Sequence, residues 1–294
     1  VDLPDGDIAR DTVPTPVAGL EGRYEATIPE AWKVFYAFGG VTMALAIRTA
    51  EAALGRPELG IVTVQATFCQ AVPCGPVAMA AEVLRSGRKG AQVQVRLWAT
   101  EDSTGPVEPD LVVTVVFGLA DPTSPHRLVG ATFPSDAPGP EASRLRVDVR
   151  PDNPFAEIPY HRQTDWRQAI GHAPWDSGFA AGEDPRAVSW FRFLRPPLRA
   201  DGTWEPATLA VPGDILAPAV VEGLGRMDGW FFVITLQLSM QFFAPMRGEF
   251  LCQHTRAHHA GDGFATGVAE LWREDRTLVA IATQSAMLQP MKAG

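Results

Sequence analysis

A displacement of 174 residues lays the second half of this chain over the first, and that internal repeat limits the fold more than any other feature. The shift matches Gly39 with Gly213, Phe68 with Phe242, Gly87 with Gly261, and Leu97-Trp98 with Leu271-Trp272. The period is far too long for a solenoid, so it predicts two copies of one domain. The order of elements agrees. Phe38-Gly39-Gly40 leads into an Ala- and Leu-rich run from Val41 to Leu54, free of internal Gly and Pro, that stops at Gly55. This predicts a helix buried over most of its surface. A short strand is predicted at Arg23 to Ile28, and further strands at Ile61 to Phe68, Val77 to Leu84, Ala91 to Ala99 and Leu111 to Phe117. In the second half, Val188 to Leu194 reads as a strand and Gly213-Asp214 opens an apolar helical run to Leu224. Phe231 to Phe243, Phe250 to Ala257, Ala265 to Trp272 and Leu278 to Met287 read as strands. The predicted class is α+β, with an antiparallel sheet wrapped around a central helix in each half.

The expected organisation is a first domain over residues 1–120, a connector over 121–185 and a second domain over 186–294. The connector is rich in Pro, Gly and Asp, which predicts little regular structure beyond an edge strand at Ser143 to Arg150. Residues 1–20 read as an irregular lead-in. The 34 acidic residues outnumber the 25 basic ones, for a net charge of −9, which argues against general affinity for nucleic acid or anionic membrane. No run reaches the roughly 18 continuous apolar residues of a membrane span, and the acidic start lacks the pattern of a signal peptide. Three cysteines, Cys69, Cys74 and Cys252, do not suggest a disulfide framework, so a reducing cytoplasm is expected.

A long apolar helix opened by Phe-Gly-Gly and wrapped by an antiparallel sheet, present twice, resembles a double hotdog. Several phrases resemble the acyl-CoA thioesterase II family in particular: Phe38-Gly39-Gly40, Leu84-Arg85-Ser86-Gly87-Arg88, Ser189-Trp190-Phe191-Arg192, the stretch around Ser239-Met240, and Leu278-Val279-Ala280 running to Gln284. They span most of the chain outside the connector. The resemblance implies hydrolysis of an acyl-CoA to a free acid and CoA, without metal or other cofactor, by a homodimer or larger homo-oligomer. A free sheet edge in each double hotdog would favour such pairing. The resemblance also implies catalytic roles for Asp214 at the start of the second helix, Thr235 in the next strand and Gln284 in the last strand. An Asp-His pair often present in the family is replaced here by Gln237-Leu238, which suggests a changed acyl pocket.

The chemistry of these residues fits that expectation. A carboxylate serves as general base towards water, and a hydroxyl and a carboxamide orient it. A helix N-terminus beside Asp214 would hold its pKa down and keep it ionised. Gly39 and Gly40 would let a substrate carbonyl approach the first helix, and Arg85 and Arg88 would meet the phosphates of CoA. The positions matching Asp214 and Thr235 in the first half are Gly40 and Ile61, so one active site per chain is expected. The plain readings remain: Asp214 as a helix N-cap, Thr235 as an ordinary strand residue, Gln284 as a buried structural amide, and Arg85 and Arg88 in a solvated turn. Cys252, His254 and His258 share a strand face but lack a second ligand cluster, which argues against a metal site. A serine-hydrolase elbow, a dinucleotide motif and a P-loop are absent. Two other readings stay open: a hotdog enoyl-thioester hydratase, and an acyl-CoA binding protein without turnover.

Overall fold

The computed structural model describes residues 5–100, 108–145, 157–172, 176, 178–226 and 231–290. The first half contributes β1 (Arg23–Ile28), α1 (Gly39–Leu54), β2 (Gly60–Phe68), β3 (Gly75–Ser86), β4 (Gly90–Ala99) and β5 (Leu111–Gly118). After the connector come β6 (Thr164–Ile170), β7 (Arg186–Phe193), α2 (Ala217–Leu224), β8 (Phe231–Phe242), β9 (Leu251–Gly261), β10 (Phe264–Arg273) and β11 (Leu278–Pro290). Among the described residues all strands join one antiparallel sheet. Its order is Thr15–Pro16, β1, β3, β4, β5, β2, β8, β11, β10, β9, β7, β6, Arg144–Leu145.

That order carries the repeat. The sequence β1-β3-β4-β5-β2 and its counterpart β7-β9-β10-β11-β8 meet head to head where β2 pairs with β8. Two irregularities recur at the same displacement of 174. A bulge lies between Ile61 and Thr63 in β2 and between Thr235 and Gln237 in β8. Another lies between Val83 and Arg85 in β3 and between Ala257 and His259 in β9. Bulges redirect side chains, so their repetition shows that two copies of one architecture are present.

Helix α1 forms because its residues favour helix and its end is closed by Gly55. That glycine takes the left-handed conformation, φ 61°, and returns its N–H to the Glu51 carbonyl. Val41 to Ile47 are all buried, because the sheet covers one side of the helix and the segment 206–213 covers the other. The second helix differs from expectation. Helical structure starts upstream, as a tight turn at Pro206–Leu209 and a helical turn at Ala210–Gly213. It breaks at Asp214 and resumes as α2. Pro206–Leu224 is long and apolar enough to cross a membrane by length and composition, yet it is 67% buried inside the molecule.

The connector is not featureless. β6 lies within it, and Arg144–Leu145 pairs with β6 as the edge of the sheet; the rest of the predicted edge strand, 146–150, lies outside the described residues. The lead-in also has structure: Asp7 caps a short helix, Ile8–Asp11. Phe133 of the connector packs edge-on against Trp272 at 5.9 Å between ring centres, and Trp190 Nε1 donates to the Pro138 carbonyl at 2.8 Å. Residues 133–138 of the connector therefore strap the outer face of the second half, whereas His172, Gly178, Phe179 and Gly182 reach the end of α2 at Glu222 and Arg226. Among the described residues the outermost segments of the sheet are Thr15–Pro16 at one end and Arg144–Leu145 at the other.

Candidate active site

Asp214 stands at the break in the second helix. It ends the turn Ala210–Gly213 with φ −88° and ψ 68°, outside helical geometry. It is therefore not the N-cap that the sequence suggests; Leu216 occupies that place for α2, without a side-chain cap. In an uninterrupted helix the Pro212 carbonyl would accept from the Leu216 N–H. Here each finds a glutamine. Gln253 Nε2 donates to the Pro212 carbonyl at 2.8 Å, and the Leu216 N–H donates to Gln284 Oε1 at 3.1 Å. Two side chains from the sheet thus hold open one rung of the helix and satisfy both buried groups it leaves.

The break turns the Asp214 carboxylate towards Thr235 and Gln284. Thr235 Oγ1 donates to Asp214 Oδ1 at 2.8 Å. Gln284 Nε2 donates to the same oxygen at 2.8 Å and to Thr235 Oγ1 at 2.6 Å. The orientation of the Gln284 amide follows from its partners: a backbone N–H can only donate, so the oxygen must face Leu216 and the nitrogen must face Asp214. Thr235 points inward at the bulge of β8, where its register with β11 shifts. The three residues named from the sequence are brought together within hydrogen-bond distance.

The other carboxylate oxygen faces the first half. A Cβ atom on Gly39 would lie 2.6 Å from Asp214 Oδ2, and one on Gly40 would lie 2.5 Å from the Ala210 carbonyl oxygen. These glycines admit atoms of the second half. The room expected for a substrate carbonyl is taken at Gly40 by backbone and at Gly39 by the carboxylate. The Gly40 N–H, at the start of α1, also hydrogen-bonds Asp214. Burial outweighs these three hydrogen bonds and pushes the Asp214 pKa up to about 6. The sequence-based expectation of a lowered pKa is thus reversed. No helix begins at Asp214, and removal from water dominates.

Arg85 and Arg88 lie elsewhere. They flank the hairpin between β3 and β4, whose Gly87 carbonyl accepts from Arg56 just past the far end of α1. The length of α1, about 24 Å at 1.5 Å per residue, separates that hairpin from the Asp214 end. Gln237 points to the outer face, where its amide reaches Ser239, and Leu238 is buried in the core. Neither faces the carboxylate, so the exchange of this pair does not touch the site directly. Cys252 is buried, which pushes its thiol up to about 12. His254 points outward to Glu270 at 3.2 Å, and His258 is exposed.

Sequence reasoning missed Gln253 and its partner Ser189, whose hydroxyl donates to Gln253 Oε1 at 2.8 Å. It also missed the pairs His254–Glu270 and His172–Glu222; His172 stacks on Phe179 beside the end of α2. The signal for Gln253 was present. Displaced by 174 it falls on Met79, a buried apolar residue in the first copy.

Two wrapped helices, one continuous sheet and a polar cluster at the helix junction define a double hotdog. The chain belongs to the acyl-CoA thioesterase family: the N-terminal domain of that family matches residues 28–118 and its C-terminal domain matches residues 125–288. A conserved protein of unknown function with a hot dog fold from Alicyclobacillus acidocaldarius is similar in structure. The TM-score is 0.75 at 21% identity, over 98% of both chains. Acyl-CoA thioesterase II TesB2 from Mycobacterium marinum is similar at a TM-score of 0.68 and 18% identity, over 97% of this chain and 99% of that one. At these identities the likeness concerns the fold. No curated protein matches the sequence.

Proposed function

We propose that the chain hydrolyses acyl-CoA thioesters to a carboxylic acid and CoA with water activated at Asp214. The observation that carries this reading is the convergence of Asp214, Thr235 and Gln284 on one enclosed carboxylate. A carboxylate with a pKa near 6 is ionised at neutral pH and is a stronger base than an ordinary aspartate. Thr235 and Gln284 hold Oδ1, so Oδ2 takes a proton from water. The water oxygen bonds to the thioester carbonyl carbon, and the C=O electron pair moves to oxygen. The nearby positive end of α1 favours that negative charge. The C=O bond then re-forms, the C–S bond breaks, and the proton on Asp214 passes to the departing sulfur. The products are the acid and the CoA thiol, with Asp214 restored.

The reading places the activity in the cytoplasm, in keeping with three free thiols, of which Cys69 is exposed. It also includes self-association of the chain. The test is release of free thiol from acyl-CoAs of graded chain length, by the wild type and by Asp214→Asn. Turnover lost in the variant supports the reading. Turnover kept in the variant removes Asp214 from the mechanism, and no release from any acyl-CoA rejects hydrolysis.

A further inference from the structure

The segment Pro206–Gly213, which leads into Asp214, lies antiparallel to α1 and joins the two halves along that helix. At one end the Gly40 N–H meets Asp214, and a Cβ atom on Gly40 would lie 2.5 Å from the Ala210 carbonyl oxygen. At the other end Glu51, in the last turn of α1, faces Glu205, the residue that opens the segment. Gly40, Ala44, Ile47 and Glu51 follow helical spacing along one stripe of α1. The segment itself buries Ala207, Ala210 and Val211. Glycine and alanine let the backbones come close, but they raise only low ridges. Ridges seated in grooves are what stop one helix sliding along another. The register of this contact therefore depends on its polar ends.

Arg199 holds the end away from the carboxylate. Its guanidinium grips Glu205 with two prongs, Nη2 to Oε1 at 2.6 Å and Nε to Oε2 at 3.2 Å, and Nη2 lies 3.9 Å from Glu51 Oε1. The turn that bears Arg199 is fixed in the second half. The Arg199 N–H donates to the Thr203 carbonyl at 2.7 Å, and the Trp204 N–H donates to the Met246 carbonyl at 2.9 Å. Two other charged groups act on the joint. Arg48 attracts Glu51, but its guanidinium is hydrogen-bonded to the Ala9 carbonyl and to Thr12. Asp201 adds negative charge on the Arg199 side. We infer that Arg199 is a positioning residue for the thioester reaction: by bridging Glu51 and Glu205 it sets the register of Pro206–Gly213 on α1, and so the aim of the Asp214 carboxylate. The inference rests on the reading of Asp214 as general base. Without Arg199, carboxylates from opposite halves face each other across a partly buried joint, and their repulsion pushes the segment along α1. The span of α1 from Gly40 to Glu51, about 16 Å, separates the joint from the site. Glu51 is pushed up to about 7, first by burial and then by Glu205, so the repulsion grows as pH rises past neutral.

The experiment compares the wild type, Arg199→Met and Arg199→Met/Glu51→Gln by thiol release from an acyl-CoA and by NMR titration of the Asp214 carboxyl carbon, with the folded fraction checked by circular dichroism. Arg199→Met is expected to lower kcat about tenfold per folded molecule while KM stays within about threefold. The deficit is expected to widen as pH rises through about 7, and the Asp214 midpoint to move away from about 6. The double variant removes one of the facing carboxylates and is expected to recover most of the lost kcat and the Asp214 midpoint. Should Arg199→Met fail to fold, Arg199→Lys keeps the charge, loses the two-pronged grip and is expected to show a smaller form of the same change. An unchanged kcat with an unmoved Asp214 midpoint overturns the inference. So does a loss that the double variant does not relieve, which would make Arg199 a structural support alone. If no protein releases thiol, hydrolysis is rejected and the titration decides by itself: an Asp214 midpoint that Arg199→Met leaves in place overturns the positioning role, and a shifted one that the double variant restores supports it.

Discussion

The Oδ2 atom of Asp214 lies 2.6 Å from the point where a Cβ atom on Gly39 would stand. The carboxylate of one half therefore fills the space that a missing side chain leaves in the other. Gly39→Ala displaces a carboxylate, and the ring of Phe68 lies against the same point at 3.2 Å. The expected result is a fall in kcat of about tenfold or more with the fold retained, read by thiol release and by the unfolding midpoint.

The elevated pKa of Asp214 sets the pH profile. As a general base the residue must be ionised, so kcat/KM is expected to rise with a midpoint at about 6 and to level off above it. A profile already flat from pH 4.5 upward would show that a different group limits the rate.

Stability follows the same titration with the opposite benefit. Asp214 is pushed up to about 6, chiefly by burial. Glu51 is pushed up to about 7 by burial and then by Glu205, against the pull of Arg199. In both, the folded chain favours the neutral form. Their contribution is fully present below the unfolded carboxylate range near 4 and is lost as pH rises through 6 to 7. Urea titrations are expected to show stability declining over that window, and Asp214→Asn or Glu51→Gln to flatten the slope.

Gln284 serves two partners, so its loss separates two effects. Gln284→Leu leaves the buried Leu216 N–H without an acceptor, at a cost of about 1–3 kcal/mol in unfolding free energy. It also frees Asp214 Oδ1 and is expected to lower kcat. Thr235→Val removes only the hydroxyl, so activity is expected to fall with a smaller change in stability.

Gln253 touches no part of the carboxylate, yet it holds the Pro212 carbonyl two residues before it. Gln253→Leu is expected to lower kcat while leaving KM within about threefold, because the helical rung can close and turn Asp214 away. Ser189→Ala, which releases only the Gln253 oxygen, is expected to show a weaker form of the same change. Equal kcat per folded molecule in both variants would mark the pair as structural alone.

Most of the fold was legible in the sequence because period and punctuation spell it out. The run from Val41 to Leu54 stops at Gly55, and the strands of both halves lie within a few residues of their predicted bounds. The break at Asp214 was not legible, since Val211-Pro212-Gly213-Asp214-Ile215-Leu216 is apolar apart from Asp214 itself and its interruption depends on Gln253 and Gln284, which arrive from distant strands. The raised pKa of Asp214 was hidden for the same reason, as burial is a property of the assembled halves. A comparison between the copies carries the remaining signal. Asp214, Thr235 and Gln253 fall on Gly40, Ile61 and Met79 by the 174-residue shift. Strand register places Gln284 opposite Gly267 and Val115 opposite Val93, the matching residue of the first copy. Four positions that turn polar in only one copy mark the site.

The opened rung of the second helix also orders events as the chain folds. Pro212 and Leu216 are four residues apart, whereas their glutamine partners lie 41 and 68 residues further along. A nascent chain that has reached only Leu224 holds both ends of the local bond and neither competitor, so that one rung is free to close. The kink, and with it the aim of the carboxylate, belongs to a later stage, when β9 and β11 dock and draw the rung apart.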